Sequence, residues 1–295
     1  MNGWRAVVRV LRSPVDDLVG TVFPADCRCC EGPLLRAGSV PVCDECVGRV
    51  RMETLPGCGR CGEAIDLDLD MEDVRFAGML AEGLLCRECR LAAPEFTRAV
   101  AYGAYEGELR ELIHLLKYER VRGVARLLGG RLGEAVLQLE GVAARELMVV
   151  AVPLFPARER QRGYNQSVLL ADEALRWLGR ARPDWRLTAA HGALERKRST
   201  ESSFVLSRTG RRRNMRGAFA VLGDVAGREV LLVDDIFTSG ATARECSRVL
   251  MAAGAAKVWV ATLARAQKRH VERQHEDAGE LAASWDMATM TGEGR

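Results

Sequence analysis

Lysine is scarce in this chain: among 43 basic residues only Lys117, Lys197, Lys257 and Lys268 are lysines, and all the others are arginine. Arginine grips phosphate bidentately where lysine offers a point charge, but a genome rich in G and C would also encode this excess. Only local arginine clusters therefore carry weight. Long apolar runs are missing too. None reaches the ~18 residues of a membrane span, which excludes an integral membrane protein. The opening "MNGWRAVVRVLRSPVDDLVGTVFP" interrupts its apolar residues with Arg5, Arg9 and Arg12 and follows them with Asp16 and Asp17. That pattern excludes an uninterrupted signal-peptide core and reads as a short amphipathic helix over residues 1–23 of a cytoplasmic protein. Histidine is rare, and none of His114, His191, His270 and His275 has a partner spaced to join it as a ligand. What remains, 48% hydrophobic and 28% charged with a net charge of +3 over 295 residues, is the composition of a soluble catalytic-size domain with an appendage.

Cysteine is abundant but confined. Nine of the ten cysteines precede residue 90, eight of them in four C-x2-C pairs: Cys27/Cys30, Cys43/Cys46, Cys58/Cys61 and Cys86/Cys89. A C-x2-C turn aims two thiolates at one point, and two such turns complete the tetrahedral sulfur site of structural zinc. A disulfide framework would need an oxidising compartment to which nothing directs the chain. Sequential pairing gives Cys27/Cys30/Cys43/Cys46 and Cys58/Cys61/Cys86/Cys89, with Cys29 spare; the spacing alone allows an interleaved arrangement as well. Few large apolar residues accompany these pairs, so about two Zn2+ ions are expected to hold a module over residues 24–95. Four thiolates leave zinc no open position, which makes the role structural or adhesive.

Beyond residue 95 the pattern changes. "RAVAYGAYEG" reads as a strand, "ELRELIHLLKYER" as an amphipathic helix, and Val121 to Leu139 as another. Strand 147–153 and strand Val230–Val233 are short apolar runs, each followed by a polar turn and an amphipathic helix, and "KVWVATLA" completes a βαβ unit. Such units build an α/β domain around a parallel sheet, here over residues 96–265, and ligands bind beyond the carboxyl ends of its strands. Cys246 and Trp177 read as packing residues. The segment 266–295 is polar and reads as a disordered tail.

The stretch "VLLVDDIFTSGATA", 230–243, carries the most specific chemistry. Asp234 and Asp235 arrive together at the end of a strand, where paired carboxylates accept hydrogen bonds from vicinal hydroxyls or hold a hydrated divalent cation. Thr238, Ser239, Gly240, Ala241 and Thr242 follow at a helix N-terminus, whose N–H groups and hydroxyls form a nest for a phosphate monoester. A diol recognised one sugar length from a phosphate is a ribose 5-phosphate. An ordinary acidic turn and N-capped helix would explain the parts, but not their order.

That stretch resembles the signature of type I phosphoribosyltransferases, whose substrate is phosphoribosyl pyrophosphate (PRPP) with Mg2+. More closely, the chain resembles the ComF family, associated in bacteria with uptake of transforming DNA. The likeness runs from about residue 24 to 265 and includes the cysteine knuckles, "LKY", "VPLFPARERQRGYNQS", "RKRST", "RRRNMRGAF" and the loop at 238–242. It implies a Rossmann-like type I phosphoribosyltransferase fold preceded by a double zinc ribbon. It also implies that Asp234 and Asp235 serve the ribose hydroxyls and Mg2+, and that Thr238, Ser239, Gly240, Ala241 and Thr242 hold the 5-phosphate. The resemblance further implies that Arg158, Arg160, Arg162, Gly163, Tyr164 and Asn165 face the pyrophosphate.

A third basic cluster, residues 195–217, carries Arg196, Arg198, Arg211, Arg212, Arg213 and Asn214, in a flexible loop of the kind that closes over substrate in phosphoribosyltransferases. Here the sequence departs from the family: Ser203 and Val205 stand before Leu206 and Ser207 where relatives have Gln and Gly. The departure bears on transfer, not on PRPP binding. In a full transferase the bond from ribose C1 to pyrophosphate would ionise, with Mg2+ and arginines stabilising the departing charge, and neither aspartate is expected to act as a general base. Three functions fit: a PRPP-binding ComF-type DNA-uptake protein that holds single-stranded DNA or uptake-machinery proteins; an active phosphoribosyltransferase whose acceptor nothing specifies, since no aromatic pair stands out; and a PRPP-sensing regulator, for which the DNA-reading module is missing.

Overall fold

The computed structural model describes residues 26–34, 40–53, 57–65, 84–199 and 208–266. The expected helix over 1–23, the tail beyond residue 266 with His270 and His275, and the departure at Ser203 and Val205 to Ser207 lie outside these residues.

Apolar runs in this chain become strands because neighbours bury both their faces. Five of them, β1 (Arg98–Ala104), β2 (Glu146–Ala151), β3 (Arg186–Ala189), β6 (Glu229–Phe237) and β7 (Lys257–Arg265), form a parallel sheet in the order β1-β7-β6-β2-β3. A separate antiparallel pair joins β4 (Leu194–Arg196) to β5 (Phe219–Val221). Period-2 alternation sorts the side chains into two cores. Leu147, Val149, Leu231 and Val233 belong to one face, and Met148, Val150, Val230 and Leu232 to the other. Helices Gly107–Tyr118, Val124–Val136 and Gln166–Ala181 cover the first face, while Ala241–Ala252 covers the second. No helix among the described residues is long and apolar enough to cross a membrane.

The topology fixes where a ligand can go. From β2 the chain passes through helix Gln166–Ala181 to β3 on one side; from its neighbour β6 it passes through Ala241–Ala252 to β7 on the other. The two connections diverge, so a crevice opens past the carboxyl ends of β2 and β6, at the switch point of the sheet. Close helix packing supports it: a Cβ at Gly129 would fall 2.2 Å from Glu173 Cβ, and one at Gly133 would fall 2.5 Å from the Trp177 ring. Trp177 is thus a packing residue, and so is the fully buried Cys246.

Among the described residues, the cysteine-rich segment packs its apolar side chains onto the sheet. Cys27, Cys46, Val42 and Val50 join the apolar cluster of one sheet face, and Cys58, Cys61, Cys89 and Phe96 join that of the other. The segment also covers the open edge of β1, where the Ala99 N–H donates to Arg60 O at 2.8 Å and the Glu53 N–H to Tyr102 O at 3.0 Å. An exposed strand edge is a template for unwanted pairing, and this one is blocked.

Candidate functional site

The first surprise at the crevice is how far β6 runs. The sequence places an acidic turn after Val233, yet the strand continues through Asp234 and Asp235 to Phe237, held by pairing of Asp234 with Thr262, Ile236 with Ala264 and Phe237 with Arg265. The turn begins at Thr238, and Gly240 enters helix Ala241–Ala252 as a left-handed N-cap, φ 69°. Glycine is required there twice over, since a Cβ would strain that conformation and would lie 2.6 Å from Phe237 Cζ. The N–H groups of the helix's first turn have no intrahelical acceptor and aim at the crevice mouth.

A cavity of about 300 Å3 occupies the crevice. Of the residues singled out by sequence, Asp234, Asp235, Thr238, Ser239, Ala241 and Thr242 line it on one side. Arg158 and Arg162, from helix Pro156–Arg162, line it on another, together with Arg196, Arg211 and Asn214.

The remaining residues do other things. Gly163 ends its helix at φ 87°, the Tyr164 hydroxyl donates to Leu116 O, and Asn165 caps the next helix through the Ser167 N–H while its amide donates to Val152 O. Arg160 is exposed on the same helix as Arg158 and Arg162. Gly163, Tyr164 and Asn165 shape the turn, and of the pyrophosphate-facing set expected from sequence only Arg158 and Arg162 are in the cavity wall.

The basic stretch 195–217 is not one loop either. Arg196 lies buried in β4, and Arg211, Arg212, Arg213 and Asn214 belong to a helix, Arg208–Met215. Arg198 pins that helix by donating to Asn214 O at 2.7 Å and to Arg216 O at 2.9 Å, and Met215 anchors it in the core. Residues 200–207 lie outside the described residues.

Four residues of the site were not assigned a role from sequence. Lys117, from the last turn of helix Gly107–Tyr118, places Nζ 2.9 Å from Asp235 Oδ1. Its signal was its position: a lysine four residues after Ile113 falls on the buried face of an amphipathic helix. Ser167 donates its hydroxyl to Asp234 Oδ1 at 3.1 Å, and the Asp235 N–H reaches the same oxygen at 2.9 Å. Tyr105 and Tyr118 stand at the rim, Tyr118 largely exposed beneath the Arg162 guanidinium. Tyr105 precedes this helix and Tyr118 ends it, so the two line the cavity from opposite ends of the helix.

Electrostatics in the crevice are strongly perturbed. Burial, and then the Asp235 carboxylate, push Asp234 up to about 7, against the opposing pull of Lys117. Burial acts to lower Lys117, but Asp235 and Asp234 outweigh it and the ammonium is held above its ordinary value. Burial and the neighbouring Arg158 lower Arg196. Neither described histidine competes as a site. His114 sits on the surface 3.6 Å from Glu119, and His191 accepts the Ala151 N–H at Nδ1 and meets Asp172 at Nε2.

The cysteines pair sequentially: the sulfurs of Cys27, Cys30, Cys43 and Cys46 lie within 4.8 Å of one another, as do those of Cys58, Cys61, Cys86 and Cys89. Both sets fit a dication. Cys30 and Cys43 sulfurs are 3.8 Å apart and Cys61 and Cys86 sulfurs 3.7 Å, far beyond a disulfide. Burial works against the Cys27 thiolate, yet the hydrogen bonds from Cys43, Cys30 and Cys29 bring it down to about 6. In the second cluster the Cys61 thiol is raised to about 12, chiefly by Cys58. Crowded thiolates that push one another's protons on are what a tetrahedral metal relieves. The second cluster also abuts helix Ala241–Ala252: Arg244 donates to Ala92 O at 2.7 Å and points a second nitrogen at Cys89 Sγ.

Comparisons with known proteins agree with this architecture. Residues 165–286 match the family of the phosphoribosyl transferase domain. The chain is 35% identical over 184 residues to the DNA utilization protein YhgH of Escherichia coli, covering 62% of this chain and 78% of that one. With the protein of the same name from Salmonella typhimurium it shares 31% identity over 246 residues, 82% of this chain and 97% of that one. Competence protein F of Haemophilus influenzae is 28% identical over 249 residues, 83% and 98% of the respective chains. Similarity through nearly the whole length of these relatives reaches far beyond the shared phosphoribosyl transferase domain, and the chain belongs to the ComF family.

Proposed function

We propose that the protein binds PRPP in the crevice between β2 and β6 and serves DNA uptake as a cytoplasmic ComF-type factor. The observation that carries this reading is the convergence, in one cavity, of a helix N-terminal loop, two carboxylates and a facing arginine pair. The 5-phosphate sits on Thr238 to Thr242, where first-turn N–H groups and hydroxyls are donors. The ribose hydroxyls donate to Asp234 and Asp235, and Arg158 and Arg162 face the pyrophosphate. Mg2+ bound with PRPP would neutralise part of the pyrophosphate charge that Arg158 and Arg162 face. Zn2+ would fill each four-thiolate cluster and hold the cysteine knuckles of the 24–95 module against the sheet. The relatives' names, a DNA utilization protein and a competence protein, support the DNA role. Surface arginines such as Arg160 and Arg213 give single-stranded DNA a sequence-tolerant electrostatic track.

The test is calorimetric. Mg-PRPP should bind the wild type and raise its thermal midpoint by mass action, and Asp234→Asn with Asp235→Asn should erase both effects in a folded protein. No PRPP affinity in the wild type would sink the reading. A second reading, active transfer to an acceptor nitrogen, is favoured by the exposed Tyr118 ring in the cavity lining, on which a flat acceptor could stack. Acceptor-dependent pyrophosphate release across a panel of bases and amines would establish it.

A further inference from the structure

The sequence leaves the acidic pair two employments, a sugar diol or a divalent cation. The structure separates them. Lys117 and Asp235 form an ion pair at 2.9 Å with side chains only 14% and 6% exposed. The lysine cannot swing away freely, because its helix is clamped by Leu109, Leu112, Ile113 and Leu116, all buried. It also lies in the last helical turn, where the backbone dipole favours a cation. Of the four carboxylate oxygens, Asp235 Oδ1 is taken by Lys117 and Asp234 Oδ1 by Ser167 and the Asp235 N–H. Asp235 Oδ2 is buried with no hydrogen-bond partner among the described residues. An unpartnered buried acceptor, on a residue of the cavity wall, calls for a donor. A hydrated Mg2+, which demands near-octahedral oxygen ligands, would meet the ammonium at the same carboxylate. A neutral hydroxyl would not.

We propose that Lys117 is the resident cation of the acidic pair, closing Asp235 to a free divalent metal and reserving the pair for neutral hydroxyl donors. The metal half of the expected Asp234/Asp235 role is thereby withdrawn. The proposal deepens the PRPP reading and rests on it only for the identity of the hydroxyl-bearing ligand.

The experiment is Mn2+ titration of the zinc-loaded protein without PRPP, followed by electron paramagnetic resonance, with zinc content monitored. Wild type and Asp235→Asn should be indistinguishable in Mn2+ binding. Lys117→Met should gain a Mn2+ site, with affinity raised about tenfold or more by removal of the facing charge, and Lys117→Met with Asp235→Asn should lose it. Wild-type Mn2+ binding that Asp235→Asn abolishes would overturn the proposal, as would a folded Lys117→Met protein with no gain. Should Lys117→Met fail to fold, reductive methylation decides: Lys117 protected in the wild type and reactive in Asp235→Asn supports the assignment, and equal reactivity overturns it. PRPP is titrated separately, so absence of PRPP affinity refutes the ligand and leaves the Lys117 result standing.

Discussion

Replacing Asp234 by asparagine should stabilise the protein, and more so the higher the pH. The folded carboxyl is held protonated to about 7 by burial and by Asp235, against a reference value of 3.8. Between those values the native state keeps a proton that the unfolded chain has released, so this group's contribution falls as pH rises through that window and is constant above it. At about 1.36 kcal/mol per pH unit, the full cost above pH 7 is a few kcal/mol, an upper bound because Asp234 is coupled to Asp235 and Lys117. Asparagine keeps an Oδ1 for the Ser167 hydroxyl and the Asp235 N–H, so the isostere removes the charge and preserves both bonds. Most of the cost has accrued by pH 6. The stability gap between Asp234→Asn and wild type should therefore be present at pH 6 and widen by about 1–1.5 kcal/mol by pH 8.5, or about 3–6 °C in Tm for a domain of this size. Paired urea titrations at the two values measure it, and because both proteins carry the same cysteine clusters, metal effects cancel in the difference. A gap that is flat or narrows with rising pH would refute the reasoning. The variant's loss of PRPP affinity would then show stability sacrificed for binding.

Other outcomes follow from the same geometry. Gly240→Ala adds a Cβ at φ 69° against a Phe237 ring wedged between Arg265, 4.1 Å above it, and Phe96; it should cost about 2–4 kcal/mol and weaken PRPP binding, checked by denaturant titration and calorimetry. Elemental analysis should find about two zinc ions per chain, and Cys58→Ser with Cys61→Ser should leave about one, while a folded metal-free protein would reject zinc in the clusters. If Arg211, Arg212 and Arg213 contact single-stranded DNA, replacing all three by serine should flatten the dependence of log K on log salt by about 0.7 per lost contact; an unchanged slope removes helix Arg208–Met215 from the DNA path.

Much of this protein is written locally. The C-x2-C pairs are visible because two thiolates on one turn need only a short, fixed spacing. The loop at 238–242 is visible because strand, hydroxyl-rich turn and helix follow one another in chain order, and each has its own periodicity. The parallel α/β class follows from two such units. Local signals misled where tertiary contacts overrode them. Asp234 and Asp235 have poor strand propensity, yet pairing with β7 carries β6 through them to Phe237. The arginine-rich stretch at 208–215 looks like a solvated loop, yet Arg198 and the buried Met215 hold it helical. Which knuckles pair was open in sequence, and was decided by the two sheet faces, each of which takes one cysteine cluster into its core. Lys117 depended most on the fold. Its spacing says only that it lies on a buried helix face; that the face meets Asp235 is a consequence of packing helix Gly107–Tyr118 beside the carboxyl end of β6, a contact between distant segments that no local period encodes.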